Sequence, residues 1–494
     1  MRWRQKYGGA VPAQPSTLTM SGRRLRERGA LLLGRAAGVA TRRLGRGGGT
    51  ALPGLVASTL APALIEALGR QLGLGAITVT GTNGKTTTVH LLAAAVRAAE
   101  LDPLTNDSGS NLERGLVSVY VEEATAAGAV RDAGRRLGVL EVDEAALPAL
   151  LPRLRPRVAL FLNLFRDQLD RYGEVDSVAE GWRGALEADA SGLTLVLNAD
   201  DPSVAQLAAT ARGEVVTFGI EDRSVALSSV EHAADARFCE CGAMFAYEAV
   251  YMGHVGAWRC DACGRRRPAP DVSAHDIELM PDGVRFELSL PGSEFAVELP
   301  SAGLYSVYNA LAAAAGAHAL GLLPRAIATA LSETRPAFGR QERFRIGGRE
   351  VRLLLAKNPA GMNEVLRTFT AASRPAADPA AALTLLVILN DGIQDGRDVS
   401  WIYDADIELL AGHRAIVIAS GTRADDMALR LALAGVEPRV VEPGIESALG
   451  RALELTPEGG RLEIVPTYTA MLEVRVALAH RTGVAPYWGG ERPR

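Results

Sequence analysis

The sequence predicts an α/β protein: a doubly wound central domain with a small cysteine-bearing insert, followed by a second, Rossmann-like α/β domain. Three observations lead to it. Short apolar strands alternate with helix-length stretches and end in polar residues, the grammar of a parallel sheet covered on both faces. A Gly-rich turn, GTNGKTTT at 81–88, joins one strand to a helix. All four cysteines fall between Cys239 and Cys263. The 494 residues are 48% hydrophobic and 22% charged, enough apolar material for two or three domains. With 52 Gly, 25 Pro and a net charge of -4, disordered, fibrous and general nucleic-acid-binding classes are excluded. No uninterrupted apolar run approaches the ~20 residues of a membrane-spanning helix. The longest, 311–323, contains His318 and reads as a buried helix, so the chain is expected to be soluble or peripheral.

Residues 1–50 carry eleven Lys/Arg against one acid, Glu27, without the apolar core and cleavage site of a targeting peptide. Residues 1–45 are therefore read as a basic flexible arm, of a kind that touches anionic lipid headgroups. The central domain is placed at 46–334. In it, 76–80 reads as a buried strand and 89–99 as an apolar-faced helix, with the Gly-rich turn between them. That order suits a phosphate cradle. Backbone N–H groups of Gly81, Thr82, Asn83, Gly84 and Thr87 face the anion, Lys85 neutralises it, and the Thr86 hydroxyl ligates Mg²⁺. Lys85 gains weight from composition, because only three of the 53 basic residues are lysines: Lys6, Lys85 and Lys357. Next, 137–141 is a strand, and the acids Glu141, Asp143 and Glu144 at its end stand where a nucleotide metal would be held. Strands 158–162 and 195–198 end in turn in Asn163, and in Asn198, Asp200 and Asp201.

Within this domain, 232–272 is a predicted zinc-ribbon insert. Cys239 and Cys241 form one thiol pair and Cys260 and Cys263 another, eighteen residues on. Two such knuckles can hold one tetrahedral Zn²⁺. The first is a residue short, which predicts a strained knuckle. Five aromatics, Phe238, Phe245, Tyr247, Tyr251 and Trp258, surround it, fitting a small core that needs a metal. The C-terminal domain, 335–494, begins near Pro336. In it, 353–364 reads as strand, turn and helix bearing Lys357, and 385–389 as a buried strand. Asp395, Asp398, Asp404, Asp406 and Glu408 follow, and Trp401 and Tyr403 among these acids suggest an interface.

On these residues the chain resembles the Mur ligase superfamily and, within it, the MurT subunits of MurT–GatD lipid II isoglutaminyl synthases. The motifs are GTNGKTT (81–87), NLFRDQLDRYGE (163–174), LNADDP (197–202), the four-cysteine insert, GLYSVYNALAA (303–313), FGRQERF (338–344) and DGIQDGRDVSWIYDADIE (391–408). They span about residues 45–480. The resemblance implies a P-loop Mur-ligase central domain and an ATP-dependent carbon–nitrogen ligase of peptidoglycan synthesis. ATP would phosphorylate the α-carboxyl of D-glutamate in lipid II. Ammonia from a GatD-type glutaminase, its heterodimer partner, would then displace phosphate to give D-isoglutamine, at the inner face of the cytoplasmic membrane. It further implies that Gly84, Lys85 and Thr86 hold ATP phosphates and Mg²⁺, that Glu141 ligates Mg²⁺, that Asn309 contacts adenine, that Asn198 and Asp201 lie near the nucleoside, and that Arg340 closes on the phosphates. Lys357 would face the substrate carboxylate or its acyl phosphate. Asp398, with Asp395 and Asp404 as alternates, would orient the glutaminase histidine across the interface.

Two departures from the superfamily matter. No central-domain lysine besides Lys85 is present to be carbamylated and hold a second metal, and the family's Asp-His pair appears as Asp167-Gln168. The phosphate loop also begins after only 80 residues, without room for a UDP-binding domain, in keeping with a lipid-linked substrate. Two other classes stay open. One is a folylpolyglutamate synthetase-like ligase using an amino acid as nucleophile. The other is a nucleic-acid-binding P-loop protein, for which Arg265, Arg266 and Arg267 are the only basic cluster.

Overall fold

The computed structural model describes residues 20–43, 51–106, 110–167, 175–232, 234–334, 340–372 and 383–483. The first sheet is built from β1 (Ala76–Thr80), β2 (Asp102–Thr105), β3 (Arg136–Glu141), β4 (Val158–Phe161), β5 (Thr194–Asn198) and β6 (Val215–Ile220). After a small hairpin, β7 (Ala246–Met252) and β8 (Val255–Arg259), it continues with β9 (Val272–Met280), β10 (Gly283–Leu290) and β11 (Ser293–Leu299). Its strand order is β11-β10-β9-β6-β5-β4-β1-β3-β2, parallel from β2 through β9 and antiparallel at β9, β10 and β11. β1 and β4 are buried on both faces; β4 accordingly reads as a continuous apolar run, while β1 alternates Ile77 and Val79 with the buried Thr78 and Thr80.

Two cores lie on either side of the sheet. One joins the helices Lys85–Ala98, Leu304–Ala319 and Pro324–Glu333 through Leu92, Val96, Leu311, Ala314 and Leu331. The other joins Leu52–Leu60, Glu113–Glu123, Leu147–Leu154 and Val175–Ala188 through Ala57, Leu116, Leu150 and Trp182. The Ala-rich helix Leu304–Ala319 lies so close to the sheet that a Cβ on Gly316 would fall 2.9 Å from Leu160 Cδ1. The sheet is thus wound on both faces, and β1, β3, β4 and β5 end beside one another at their carboxyl edge, where a ligand is expected in such folds.

The flexible-arm reading is corrected for part of its length. Met20–Arg43 is a 24-residue helix packed through Ala30, Leu31, Gly34 and Gly38 against Leu52–Leu60 and Glu113–Glu123. The basic count concealed an apolar, small-residue face. The rest of the proposed arm, 1–19 and 44–45, lies outside the described residues. Close helix approach is the rule in this corner: a Cβ on Gly54 would sit 1.8 Å from the Arg114 carbonyl oxygen, and the Gly54 N–H donates to Ser118 Oγ at 2.8 Å. Gly54→Ala is therefore expected to lower stability by about 2–3 kcal/mol, read as a shifted urea midpoint at unchanged slope.

The second sheet contains β12 (Arg340–Ile346), β13 (Arg349–Leu354), β14 (Leu383–Ile388), β15 (Ala415–Ser420), β16 (Val440–Glu442) and β17 (Arg461–Pro466), in the order β12-β13-β17-β14-β15-β16. Only the β12–β13 pair is antiparallel. This smaller sheet faces the first through the turn after β13, which carries Lys357 and Asn358 to the carboxyl edge of the central sheet.

Candidate active site

The phosphate loop leaves β1 with Gly81 at φ +134° and enters the helix Lys85–Ala98 with Gly84 at φ +88°, backbone that side-chain-bearing residues rarely adopt. The carboxyl end of β4 clamps it. Thr82 N–H donates to the Asn163 carbonyl at 2.9 Å, Asn83 N–H to Asn163 Oδ1 at 2.9 Å, and Asn163 Nδ2 returns a bond to the Asn83 carbonyl at 3.1 Å. Thr82 Oγ1 exchanges bonds with the Phe165 backbone. Asn163 is thus a loop-shaping residue, a role its place at a strand end does not by itself announce. Thr86 and Thr87, in the first turn of that helix, are half-buried.

Lys85 is buried and donates from Nζ to Glu144 Oε2 at 2.7 Å and to the Gly81 carbonyl at 2.5 Å. Burial pushes the ammonium toward neutrality, but Glu144, then Glu141 and Asp143, outweigh it and hold its pKa above the ordinary lysine value. Burial likewise opposes the Glu144 charge, and Lys85 and Lys357 reverse this, keeping that carboxyl below its usual range. Sequence reasoning gave the metal role to Glu141 and missed Glu144 as the lysine's partner; Glu141 ends β3 and Glu144 lies three residues beyond it. Glu141 is also buried, with Asn111 Nδ2 at 3.4 Å from Oε1.

Lys357 arrives from the C-terminal domain and pairs with Asp167 Oδ2 in the central domain. Asp167 is buried, and burial raises its pKa although Lys357 draws it back. Beside this contact Asn358 Nδ2 donates to Asn83 Oδ1 at 2.9 Å, so the C-terminal domain touches the phosphate loop itself. Lys85, Glu144, Asp167 and Lys357 form one alternating charge cluster, assembled from residues 272 positions apart at its extremes. Gln168, the departure from the family's histidine, lies outside the described residues.

Asn309 projects from the helix Leu304–Ala319 onto the loop: a Cβ on Gly84 would lie 2.1 Å from its Oδ1, so only glycine fits there. The Arg340 side chain lies outside the described residues. Its neighbour Gln341, at φ +55° on a bulge of β12, is buried and holds both the Ala302 N–H, at 2.8 Å, and the Ala302 carbonyl, at 2.6 Å. It pins the second sheet to the start of that helix.

Asn198 and Asp201, which the resemblance places near a nucleoside, are both buried and hydrogen-bonded within the protein. Asp201 is fully buried, with Oδ1 accepting from Ser203 and Val204 N–H and Oδ2 from Leu164 N–H. Asn198 donates to the Leu162 carbonyl and accepts from Asp200 N–H. Their polar atoms bond mainly to backbone, as caps and turns demand, and the buried His254 Nε2 lies 3.5 Å from Asp201 Oδ2. Asp200, between them, accepts from Arg267, from Tyr308 Oη at 2.7 Å and from Ile220 N–H, while Trp258 Nε1 donates to the Ala199 carbonyl. The LNADDP block is the socket of the cysteine insert.

In that insert all four sulfurs lie within 4.8 Å of one another. Cys239 Sγ is 3.6 Å from Cys263 Sγ, and Cys241 Sγ is 3.5 Å from Cys260 Sγ. A tetrahedral Zn²⁺ with bonds of about 2.3 Å separates its sulfurs by about 3.8 Å, so the donor set fits that ion. The short first knuckle does not prevent convergence, because Gly242 turns it at φ +86° as Gly264 turns the second at φ +77°. Backbone N–H groups, Cys263 first, lower the Cys260 thiol to about 7, whereas burial pushes the Cys239 thiol up to about 12. A groove of about 520 Å³ runs along the insert, but Arg265 and Arg267 on its wall are paired with Glu240 and with Asp200 and Glu221. That pairing weakens the nucleic-acid reading.

The three candidate aspartates of 391–408 differ sharply. Asp395 is buried, accepting from Thr469 N–H at 2.9 Å and from Thr469 Oγ1, at the start of the helix Tyr468–Thr482. Asp404 faces Arg166 of the central domain at 3.2 Å. Asp398 is exposed and accepts local bonds from the Ser400 side chain and, at 2.9 Å, from Ser400 N–H, which hold its pKa below the usual carboxylate range. Ile393, 79% exposed, and Tyr403 stand on the same segment.

Residues 79–251 match the family model of the Mur ligase middle domain, and 355–471 that of the MurT ligase C-terminal domain. The chain is 31% identical over 451 residues, 90% of its length and 96% of the relative's, to the lipid II isoglutaminyl synthase (glutamine-hydrolyzing) subunit MurT of Staphylococcus aureus. It is 32% identical over 455 residues, 91% and 96% of the two chains, to that of Streptococcus pneumoniae. Among solved structures, a pseudomurein peptide ligase type C from Methanothermus fervidus superposes with a TM-score of 0.63 at 23% identity, over 82% of this chain and 78% of that one. MurF from Acinetobacter baumannii gives a TM-score of 0.63 at 19% identity, over 87% and 81%. Those two likenesses show the shared fold. With both family models and full-length relatives in agreement, the chain belongs to the MurT family of Mur ligases.

Proposed function

We propose that the protein is the synthetase subunit of a lipid II isoglutaminyl synthase, an ATP-dependent ligase that amidates the α-carboxyl of D-glutamate in the muropeptide. The observation that carries this reading beyond the family is the charge cluster at the domain junction: Lys85 on the phosphate loop and Lys357 on the opposing domain meet over Glu144 and Asp167. Two anions, the ATP γ-phosphate and the substrate carboxylate, must approach for acyl transfer, and cations from both sides are what such an encounter needs. A carboxylate oxygen attacks the γ-phosphorus and ADP leaves; ammonia then attacks the acyl carbon, phosphate departs and a proton is lost. Gly81 through Thr87 hold the phosphates, with Asn309 beside Gly84. Thr86 and Glu141 would hold Mg²⁺, which would supply positive charge beside the phosphates. Lys85 is already oriented by Glu144, and the phosphates replace that carboxylate as its partner. Docking of Asn358 on Asn83 closes the site against water, which protects the acyl phosphate.

Ammonia comes from a partner glutaminase of the GatD type, docked on the 391–408 segment, where Asp398 faces outward to orient the partner's histidine. Lys357 acts on the substrate side. The four cysteines hold a structural Zn²⁺, with one equivalent expected per chain; a folded, zinc-free protein would refute this. The decisive experiment supplies ATP and a lipid-linked muropeptide with ammonia, glutamate, or glutamine plus the glutaminase. Amide formation from ammonia and from glutamine, with none from glutamate as nucleophile, is expected. Incorporation of glutamate would establish the folylpolyglutamate synthetase-like alternative instead.

A further inference from the structure

The helix Met20–Arg43 has seven arginines, one acid and a solvent face that is apolar at its centre. At 100° per residue, Ala30, Leu31, Gly34 and Gly38 fall on the arc packed against the protein; a Cβ on Gly34 would meet the Pro53 carbonyl oxygen at 2.7 Å. On the opposite arc stand Leu25, 72% exposed, Leu32, 53%, Leu33, 54%, and Val39, 43%, with Ala36 and Ala40 between them. Arginines line both edges. Arg26 on one side and Arg28 and Arg35 on the other are tied through Nε to the carbonyls of Leu60, Ala127 and Val121. Arg131 stands beside Arg35. A surface helix in water normally exposes its polar face; this one exposes leucines framed by arginines, the composition of a helix lying in a lipid–water interface.

We infer that the outer face of this helix docks flat on an anionic phospholipid bilayer, the leucines entering the headgroup boundary and the arginines pairing with lipid phosphates. None of the helices among the described residues is long and apolar enough to cross a membrane, so the contact is peripheral. The inference stands apart from the ligase reading, because its test contains no substrate. The full-length protein is sedimented with vesicles of phosphatidylcholine alone or with about one-third phosphatidylglycerol. At least fivefold more protein is expected on the anionic vesicles, and at least fivefold less of Leu32→Glu/Leu33→Glu than of wild type. Leu429→Glu/Leu433→Glu, on the exposed side of a C-terminal helix, serves as control and is expected to bind like wild type. Equal binding to both vesicles, or undiminished binding of the Leu32/Leu33 variant, overturns the inference. So does a wild-type dimer that the variant converts to monomer without vesicle binding, which assigns the face to a second copy of the chain.

Discussion

Lys85→Met is expected to lower ATP turnover by at least about 10³-fold, because it removes the cation that meets the γ-phosphate where charge is transferred. The same change strands Glu144, buried behind it, as an unpaired carboxylate, which costs about 3–5 kcal/mol. Loss of activity could therefore reflect loss of fold. The double variant Lys85→Met/Glu144→Gln removes both charges and should recover most of the stability in a urea titration while leaving turnover as low as in the single variant. Recovery of ATP turnover in the double variant would mean that the lysine only balances Glu144, and the phosphate-loop assignment would fall.

Asp398→Asn is expected to lower glutamine-driven amidation by about 10²–10⁴-fold, on the scale of losing the carboxylate that orients a catalytic histidine. With free ammonia the variant should match wild type, because Asp398 is exposed and remote in its contacts from the Lys85–Lys357 cluster. Equal rates from both nitrogen sources would remove it from the partner's active site. The alternates separate cleanly. Asp395→Asn should weaken the anchorage of the helix Tyr468–Thr482 and reduce amidation from either source. Asp404→Asn should loosen the contact with Arg166 and raise KM for ATP without distinguishing the sources.

Much of this protein was legible in its sequence for a definable reason. Local grammar survives folding: strand 76–80, the glycines of 81–88 and the lone central-domain lysine predict a phosphate cradle because backbone N–H groups, positive φ and one cation are needed within eight residues. The cysteines read equally well, since two short thiol pairs specify their own convergence. Local grammar says less where one residue type serves two ends. Asn198 and Asp201 sit at a strand terminus facing the ligand edge, and their oxygens and amide also close backbone turns beside the insert. The basic N-terminal segment was read from its charge; Ala30, Leu31 and Gly34 at helical spacing were the overlooked sign of packing.

By itself the sequence determined the two α/β domains, the phosphate loop, the thiol insert and family membership, because each rests on short-range pattern or aligned motifs. Only the tertiary structure decided which carboxylate meets Lys85, that Lys357 crosses to Asp167, and which aspartate of 391–408 faces outward. Those are pairings between residues tens to hundreds of positions apart, or differences in exposure among identical side chains, and no local rule carries that information. Burial and the opposing domain assign the roles.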